Sequence, residues 1–445
     1  MANALPPGPS APRLMQGLRF AVRPVELFED CALRYGEAFT LRLPVGVPSV
    51  FLSAPAAVRE VFTGEDEALR GGEANGFLRP LLGANSILCL DGARHERERR
   101  LMMPPFHGER MLAYGRTMQA VSEGVMATWP TGRPFPIHRE MQLVTLDVIL
   151  RSVFGLEQAP ATARLRELLR QTVGLGGSVF LLWPRLQVDL GPWSPWGRLV
   201  RIRREIDALL RAEFARRRAV AEPHDDILSL LIAARDEQGN PLSDEELRDE
   251  MLTLLVAGHE TTATGLAWTI HRVLAHDDVR ARLLDELRGV GGGGPVAPDQ
   301  IGRLEYLDAI IKETLRLNPV IPDVGRLLAH PARIGGWDLP AGVAVVPCIY
   351  LTHRRPDVWP DPLRFEPERF IGRRPTPYEF FPFGGGVRRC LGMAFALYEM
   401  KVVLATILSH LELHAAPGYR MKLVRRSITF APSEGMPVVV ERRAA

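Results

Sequence analysis

The run from Ser243 to about residue 275 constrains this chain more than any other. It opens Ser243-Asp244-Glu245-Glu246, a capping-box pattern with acidic residues in the first turn. It continues through Met251-Leu-Thr-Leu-Leu-Val-Ala-Gly-His-Glu-Thr-Thr-Ala-Thr-Gly-Leu-Ala-Trp268, which is apolar on nearly every face. A helix of about 33 residues spans roughly 50 Å, enough to cross a whole domain. Apolar residues on all sides require that it be buried at the centre. The rest of the chain must therefore wrap around it.

Helical periodicity dominates elsewhere, with helices expected near 25–35, 55–63, 92–103, 141–154, 161–173, 195–220, 278–289, 303–317 and 391–410. Short strand-like runs lie early, at Ala38–Leu43 and Ser49–Ser53. Others lie late, at Arg333–Trp337, Val343–Pro347 and in a hairpin-like end over Ser427–Val440 turning at Ser433-Glu434-Gly435. Early and late strands in one sheet imply a mainly α fold with small β-sheet regions, built as one domain over 1–445. The Pro-rich start reads as an extended surface lead-in, Gly291–Gly294 as a flexible connection, and Leu181–Pro195 as a loop, either packed or a lid.

Composition excludes several classes. The 445 residues are 46% hydrophobic and 24% charged, with a net charge of +3, which gives no global case for nucleic-acid binding. No stretch reaches the roughly 18 apolar residues of a membrane span, and no signal peptide opens the chain. The expectation is a soluble, cytoplasmic monomer with no membrane partner. Cys31, Cys89, Cys348 and Cys390 are far apart in sequence, so no Cys-x-x-Cys motif exists. The first three sit in apolar surroundings and read as small buried hydrophobes.

Cys390 differs. In Phe383-Gly-Gly-Gly-Val-Arg-Arg-Cys390-Leu-Gly392 it follows two arginines and precedes an expected helix. A helix N-terminus favours the thiolate, the form that ligates metal. Glycines such as Gly384 permit tight turns and leave room for a flat group against the backbone. In the long helix, Gly258, Glu260, Thr261 and Thr262 allow two readings. One is a satisfied structural network; the other is a groove whose carboxyl and hydroxyls hold water or dioxygen and relay protons. Glu313-Thr-Leu-Arg316 places opposite charges on one helix face, on its own usually a surface pair worth a few tenths of a kcal/mol.

Together these stretches resemble the cytochrome P450 family of haem-thiolate monooxygenases. The loop matches Phe-x-x-Gly-x-Arg-x-Cys-x-Gly, and Ala257-Gly-His-Glu-Thr261 resembles the Ala/Gly-Gly-x-Asp/Glu-Thr motif. Glu313-x-x-Arg316 and Pro367-Glu-Arg369-Phe follow in the family's order. The resemblance implies the P450 fold, with the long helix over a haem b whose iron Cys390 ligates within the Phe383, Gly384 and Gly392 loop. Ala257 would lie against the haem, Glu260 and Thr261 would assist O–O bond cleavage, and His95, Arg99, Arg326 and Arg388 would pair with its propionates. Glu313, Arg316 and Arg369 would form a buried network holding the cysteine loop.

The implied reaction inserts one atom of O2 into a hydrophobic small molecule, either a fatty acid or a terpenoid. Phe77, Leu78, Leu81, Leu82, Ala257, Val320, Ile321, Val324 and Ile428 would line its pocket. Arg79, a conceivable carboxylate anchor, reads better as solvent-facing. With no fused reductase and no Gly-x-Gly-x-x-Gly motif, electrons would come from a ferredoxin or flavodoxin fed by an NAD(P)H-dependent reductase. Arg94, Arg97, Arg100 and Arg389 are the expected basic dock. The alternative is a haem-thiolate peroxygenase, isomerase or dehydratase that needs no external electrons.

Overall fold

The computed structural model describes residues 5–443 except 45, 107, 109, 156–159, 177–186 and 220–225. Its longer helices are α1 (Arg13–Val22), α2 (Pro24–Tyr35), α3 (Pro55–Thr63), α4 (Gly92–Met102), α5 (Arg110–Met126), α6 (Ile137–Phe154) and α7 (Pro160–Gly176). They continue with α8 (Pro195–Ala219), α9 (Ile227–Ala233), α10 (Asp244–Leu274), α11 (Asp277–Gly291), α12 (Glu305–Leu317) and α13 (Met393–His410).

The central helix forms as its sequence dictates. The Ser243 hydroxyl accepts from the Glu246 N–H at 3.2 Å, and the Glu246 carboxylate accepts from the Ser243 N–H at 2.8 Å. This closes the capping box of α10. From there α10 packs against α6, α8, α12 and α13, burying Leu255, Leu266 and Trp268. The Trp268 indole N–H donates to the Phe430 carbonyl at 2.9 Å, which ties the helix to the C-terminal strands. α13 is long and apolar enough to cross a membrane, by length and composition only, yet most of it is buried inside the protein.

The largest sheet joins both ends of the chain, in the order β1 (Ala38–Leu41), β2 (Ser49–Leu52), β8 (Ala344–Pro347), β5 (Arg326–Leu328), β3 (Leu69–Arg70). β2 and β8 run parallel with Val50 opposite Val345, and the other pairs are antiparallel.

Two strand expectations need correction. Residues 333–337 are not one strand. They span β6 (Ala332–Ile334) and β7 (Trp337–Leu339), a hairpin turned by Gly335 and Gly336 at φ +58° and +80°. The terminal hairpin does not form either. β11 (Thr429–Pro432) pairs back with β10 (Leu423–Arg426). β12 (Pro437–Arg443) instead lies between β4 (Phe135–Pro136) and β9 (Leu411–Ala415). A strand's partners are fixed by distant sequence, which a local turn signal does not report.

Three of these helices, α1, α5 and the short α9, escaped the sequence reading. α5 contains Gly115, which looks like a breaker. A Cβ there would lie 2.3 Å from the Tyr398 hydroxyl, so the glycine permits close packing against α13. α1 follows the Pro-rich start, where an extended lead-in was expected. Of the loop at 181–195, residues 181–186 lie outside the described residues, and Gly191–Trp193 forms a short 3-10 turn.

Candidate active site

The cysteine loop folds back on itself. The Cys390 N–H donates to the Phe383 carbonyl at 2.9 Å, and Gly384 and Gly386 sit at φ +69° and +64°, where a side chain is strained. Protein packing accounts for two of the glycines. A Cβ on Gly386 would lie 2.3 Å from the Phe62 carbonyl oxygen, and one on Gly385 would lie 2.1 Å from the Phe62 ring. Gly392, by contrast, faces open space and caps α13. Cys390 lies deep in the protein yet presents accessible surface, so it borders interior space. Burial pushes its thiol pKa up, opposed by the Gly392 N–H and the Arg99 charge. The net direction is opposite to the shift expected from the helix end alone, because desolvation outweighs both. Coordination to a metal removes such a proton outright.

A buried network anchors this loop. Glu313 and Arg316 are both fully buried and pair bidentately at 2.6 and 2.7 Å. The Arg316 guanidinium also donates to the carbonyls of His353, Pro362 and Arg364. Glu313 accepts from the Glu366 N–H at 3.0 Å, and Arg369 lies 3.5 Å from it. The link to the loop is His353, which sequence reasoning missed. Its carbonyl accepts from Arg316, and its Nε2 accepts from the Phe381 N–H at 3.0 Å. That role requires a neutral ring. Burial, with the charges of Arg316 and Arg354, holds the His353 pKa well below its ordinary value.

On α10, Ala257 is exposed although the helix around it is buried. The Thr261 hydroxyl donates to the Ala257 carbonyl at 2.7 Å. The Glu260 carboxylate accepts from Gln142 Nε2 at 2.5 Å and lies 3.8 Å from His138 Nε2. The same His138 nitrogen is 3.1 Å from the Thr264 hydroxyl. Burial raises the Glu260 pKa, opposed by the Gln142 hydrogen bond and the Arg426 charge. Burial and the Arg426 charge lower His138 to about 4. Gln142 and His138, four apart on α6, were missed in sequence; only that spacing hinted at them. Gly258 also has a packing reason, since a Cβ there would lie 3.2 Å from Ile149 of α6.

The four expected propionate partners divide into two pairs. Arg326 is buried, donates to the Gly325 carbonyl, and has no carboxylate partner among the described residues. Its pKa falls to about 10 through burial and the Arg388 charge. Half-buried Arg99 has no hydrogen-bond or ion-pair partner among the described residues, and burial lowers its pKa too. Arg388 is already engaged, with Asp66 at 2.8 and 2.9 Å and with Asp91 at 2.5 Å. His95 Nδ1 lies 3.4 Å from Asp66, longer than a good hydrogen bond. Burial opposes ionisation of Asp66, but His95 and Arg388 outweigh it and hold its carboxyl well below the usual range. Neither aspartate was singled out in sequence. A small cleft lined by Asp66, Arg326, Gly385, Gly386 and Arg388 opens beside them.

The expected pocket residues fall in different packing clusters. Leu78, Leu81 and Leu82 are buried in a small cluster with Leu199, against which Phe77 and Val256 pack. Of these, Leu81 borders a water-sized cavity closed by Leu169, Leu199, Ile206, Leu252 and Val256 together with Thr172 and Arg203. Val320 belongs to the main core, and its carbonyl accepts from the Phe430 N–H. Ile321, Val324 and Ile428 are half-buried, while Arg79 is exposed. Of the expected basic dock, Arg97 drops out. It is consumed by Glu98, Asp236 and Glu246. Arg94 bonds Asn85, Arg100 lies 3.4 Å from Glu237, and Arg389 is exposed.

A deep thiol beside interior space, an acid–hydroxyl pair on a central helix, and two guanidiniums, buried Arg326 and half-buried Arg99, without carboxylate partners among the described residues fit a haem held through cysteine and its propionates. The class is that of haem-thiolate oxidoreductases. The chain belongs to the cytochrome P450 family, whose model matches residues 6–437. It is 39% identical to cytochrome P450 135B1 of Mycobacterium tuberculosis, covering 98% of this chain and 91% of that one. It is 38% identical to cytochrome P450 138 of the same organism, covering 99% and 97%. Among solved structures, a retinoic acid-bound cyanobacterial CYP120A1 matches over 100% of both chains, with a TM-score of 0.88 and 28% identity. The cytochrome P450DA heme domain matches with a TM-score of 0.83 at 27% identity, covering 99% and 98%. The protein is therefore a haem-thiolate monooxygenase that uses O2 and a redox partner.

Proposed function

We propose that this chain is a single-domain cytoplasmic monooxygenase of apolar carboxylic acids of the terpenoid or fatty-acid kind, with haem b ligated by Cys390. Thiolate-ligated haem supplies the activation of dioxygen needed to insert one oxygen atom into a C–H or C=C bond. Arg99 and Arg326 would hold the propionates, with Arg388 and His95 bracing them through Asp66. Glu260, held by Gln142 and biased by burial towards its protonated form, would pass a proton from its carboxyl oxygen. Thr261 donates its hydrogen to the Ala257 carbonyl, which leaves its oxygen lone pairs to accept from bound water.

The observation that carries this reading is the combination of a deep, accessible thiol with one buried and one half-buried arginine, Arg326 and Arg99, that lack carboxylate partners among the described residues. The likeness to a retinoic acid-bound structure supports the substrate class. Retinoic acid and a series of fatty acids should shift the haem spin state and yield oxygenated products. Shifts confined to compounds without a carboxylate would sink the substrate class. A ferredoxin or flavodoxin would dock near Arg389 and Arg100. Reversing both charges should slow electron transfer from an acidic partner, and unchanged rates would exclude that dock.

A further inference from the structure

Asp323 is a carboxyl that the fold encloses and then leaves unsatisfied. The backbone on either side of it is fixed. The Pro322 carbonyl accepts from the Tyr350 N–H at 3.0 Å, and the Val324 N–H donates to the Pro347 carbonyl at 3.1 Å. Val324 borders the cysteine loop, its Cγ1 3.8 Å from where a Cβ on Gly384 would lie. Asp323 itself lies deep in the protein yet keeps some accessible surface, so it borders interior space, as Cys390 does. Its Oδ2 is shielded and has no hydrogen-bond partner among the described residues. The charge it faces is half-buried Arg425 of β10. Each opposes the effect of burial on the other's pKa, yet they stand beyond ion-pair distance.

The gap between them is built into the fold. Arg425 Nε donates to the Ser427 carbonyl at 2.9 Å and Nη1 to the Phe20 carbonyl at 3.1 Å, with the guanidinium 4.0 Å from the Phe20 ring centre. Nη2 makes no hydrogen bond to the described residues. The hairpin that carries Arg425 is bonded to the Asp323 segment, Phe430 N–H to the Val320 carbonyl at 2.8 Å, and to α10 through Trp268.

We propose that Asp323 and Arg425 are the polar end of the substrate pocket and hold the carboxylate of the apolar acid between them, an inference that rests on the substrate class proposed above. Arg425 offers a charged donor. Burial biases the Asp323 carboxyl towards its protonated form, in which it too can donate. Two donors across one gap suit a head group that only accepts. An alcohol or a methyl ester lacks the charge that pairs with the guanidinium. A water in the gap would satisfy the same atoms without selecting any ligand, and head-group preference separates the two. Arg79, the anchor conceivable from sequence, is exposed instead.

The test titrates the full-length haem-loaded protein with hexadecanoic acid, hexadecanol and methyl hexadecanoate, and with retinoic acid and retinol. Binding is followed by the haem spin state and, independently, by equilibrium dialysis. Wild type should bind each acid at least about tenfold tighter than its alcohol or ester. Arg425→Gln should cut that preference to about twofold, and Arg425→Lys should restore part of it. Asp323→Leu should weaken acid binding about fivefold without lowering the melting temperature, because it removes an unmatched buried polar group. A purely structural aspartate would do the reverse, with a lower melting temperature and an unchanged preference. Since Asp323 bonds nothing among the described residues, its variant decides the matter even if Arg425→Gln disturbs the hairpin. Acid preference undiminished in Asp323→Leu, or in an Arg425→Gln protein with the wild-type CO-bound spectrum, overturns the anchor and leaves the substrate class standing. Wild type that binds acids no tighter than alcohols and esters overturns the substrate class, and the anchor with it.

Discussion

Glu313 and Glu260 are both inward-facing carboxylates on long helices, yet their surroundings differ. Glu313 receives a bidentate guanidinium, a backbone N–H and the nearby Arg369. Glu260 receives one amide donor, with a neutral histidine at 3.8 Å. Ion pairing on the first scale fixes a geometry, because breaking it leaves a charge stranded in a dry interior. A sparsely bonded acid whose pKa burial has raised can gain and lose a proton at small cost. The cysteine side is thus held by many bonds, whereas the α10 side carries a carboxyl that burial biases towards its protonated form.

The sharpest way to break this contrast is to treat both acids alike. Glu313→Gln should cost about 3–5 kcal/mol, the usual penalty for stranding one member of a buried pair, and thermal melting should show it along with poor haem incorporation. Arg316→Lys should do nearly as badly, because an ammonium cannot reproduce the fork. Glu260→Gln should leave the unfolding free energy within about 1 kcal/mol of wild type while slowing turnover. Equal losses of stability from the two Glu→Gln changes would erase the distinction.

Thr261→Ala carries the comparison into chemistry. It should fold and bind substrate normally while diverting most reducing equivalents to peroxide, measured as the ratio of product formed to cofactor consumed. Unchanged coupling would remove the hydroxyl from the account. Asp66→Asn tests the brace between α4 and the cysteine loop. Transfer of haem to apomyoglobin should quicken several-fold, whereas Asp30→Asn, which loses only the half-exposed pair with Arg19, should not change it.

The smallest effect concerns pH. Burial and the neighbouring Glu246 charge raise Glu98 to about 7, with Arg97 opposing. A carboxyl that binds its proton more tightly when folded stabilises the protein below its unfolded pKa of about 4.3. That contribution is lost as pH rises through about 7. The melting temperature should therefore fall from about pH 4.3 to about pH 7 and level off above it, and Glu98→Gln should flatten the slope. A slope unchanged in Glu98→Gln would show Glu98 to be ionised throughout.

Much of this arrangement was legible in the sequence because it is written locally. The capping box and all-round apolarity gave α10, and the spacing within Phe383–Gly392 gave the loop. What stayed hidden depends on distant partners. His353 reaches Phe381, Gln142 reaches Glu260 and Asp66 reaches Arg388 across gaps of 28 to 322 residues, with no periodic signal to mark them. Glycines misled for the same reason. Gly115, Gly258 and Gly385 make room for Tyr398, Ile149 and Phe62, none of which a local window contains.

The central claim, that Cys390 is the thiolate ligand of a haem, is tested most directly by the absorption spectrum of the reduced, CO-bound protein. The account predicts the strongly red-shifted band of thiolate-ligated haem, lost in Cys390→Ser. A band at the position of histidine-ligated haem, or the red-shifted band persisting in Cys390→Ser, would contradict it.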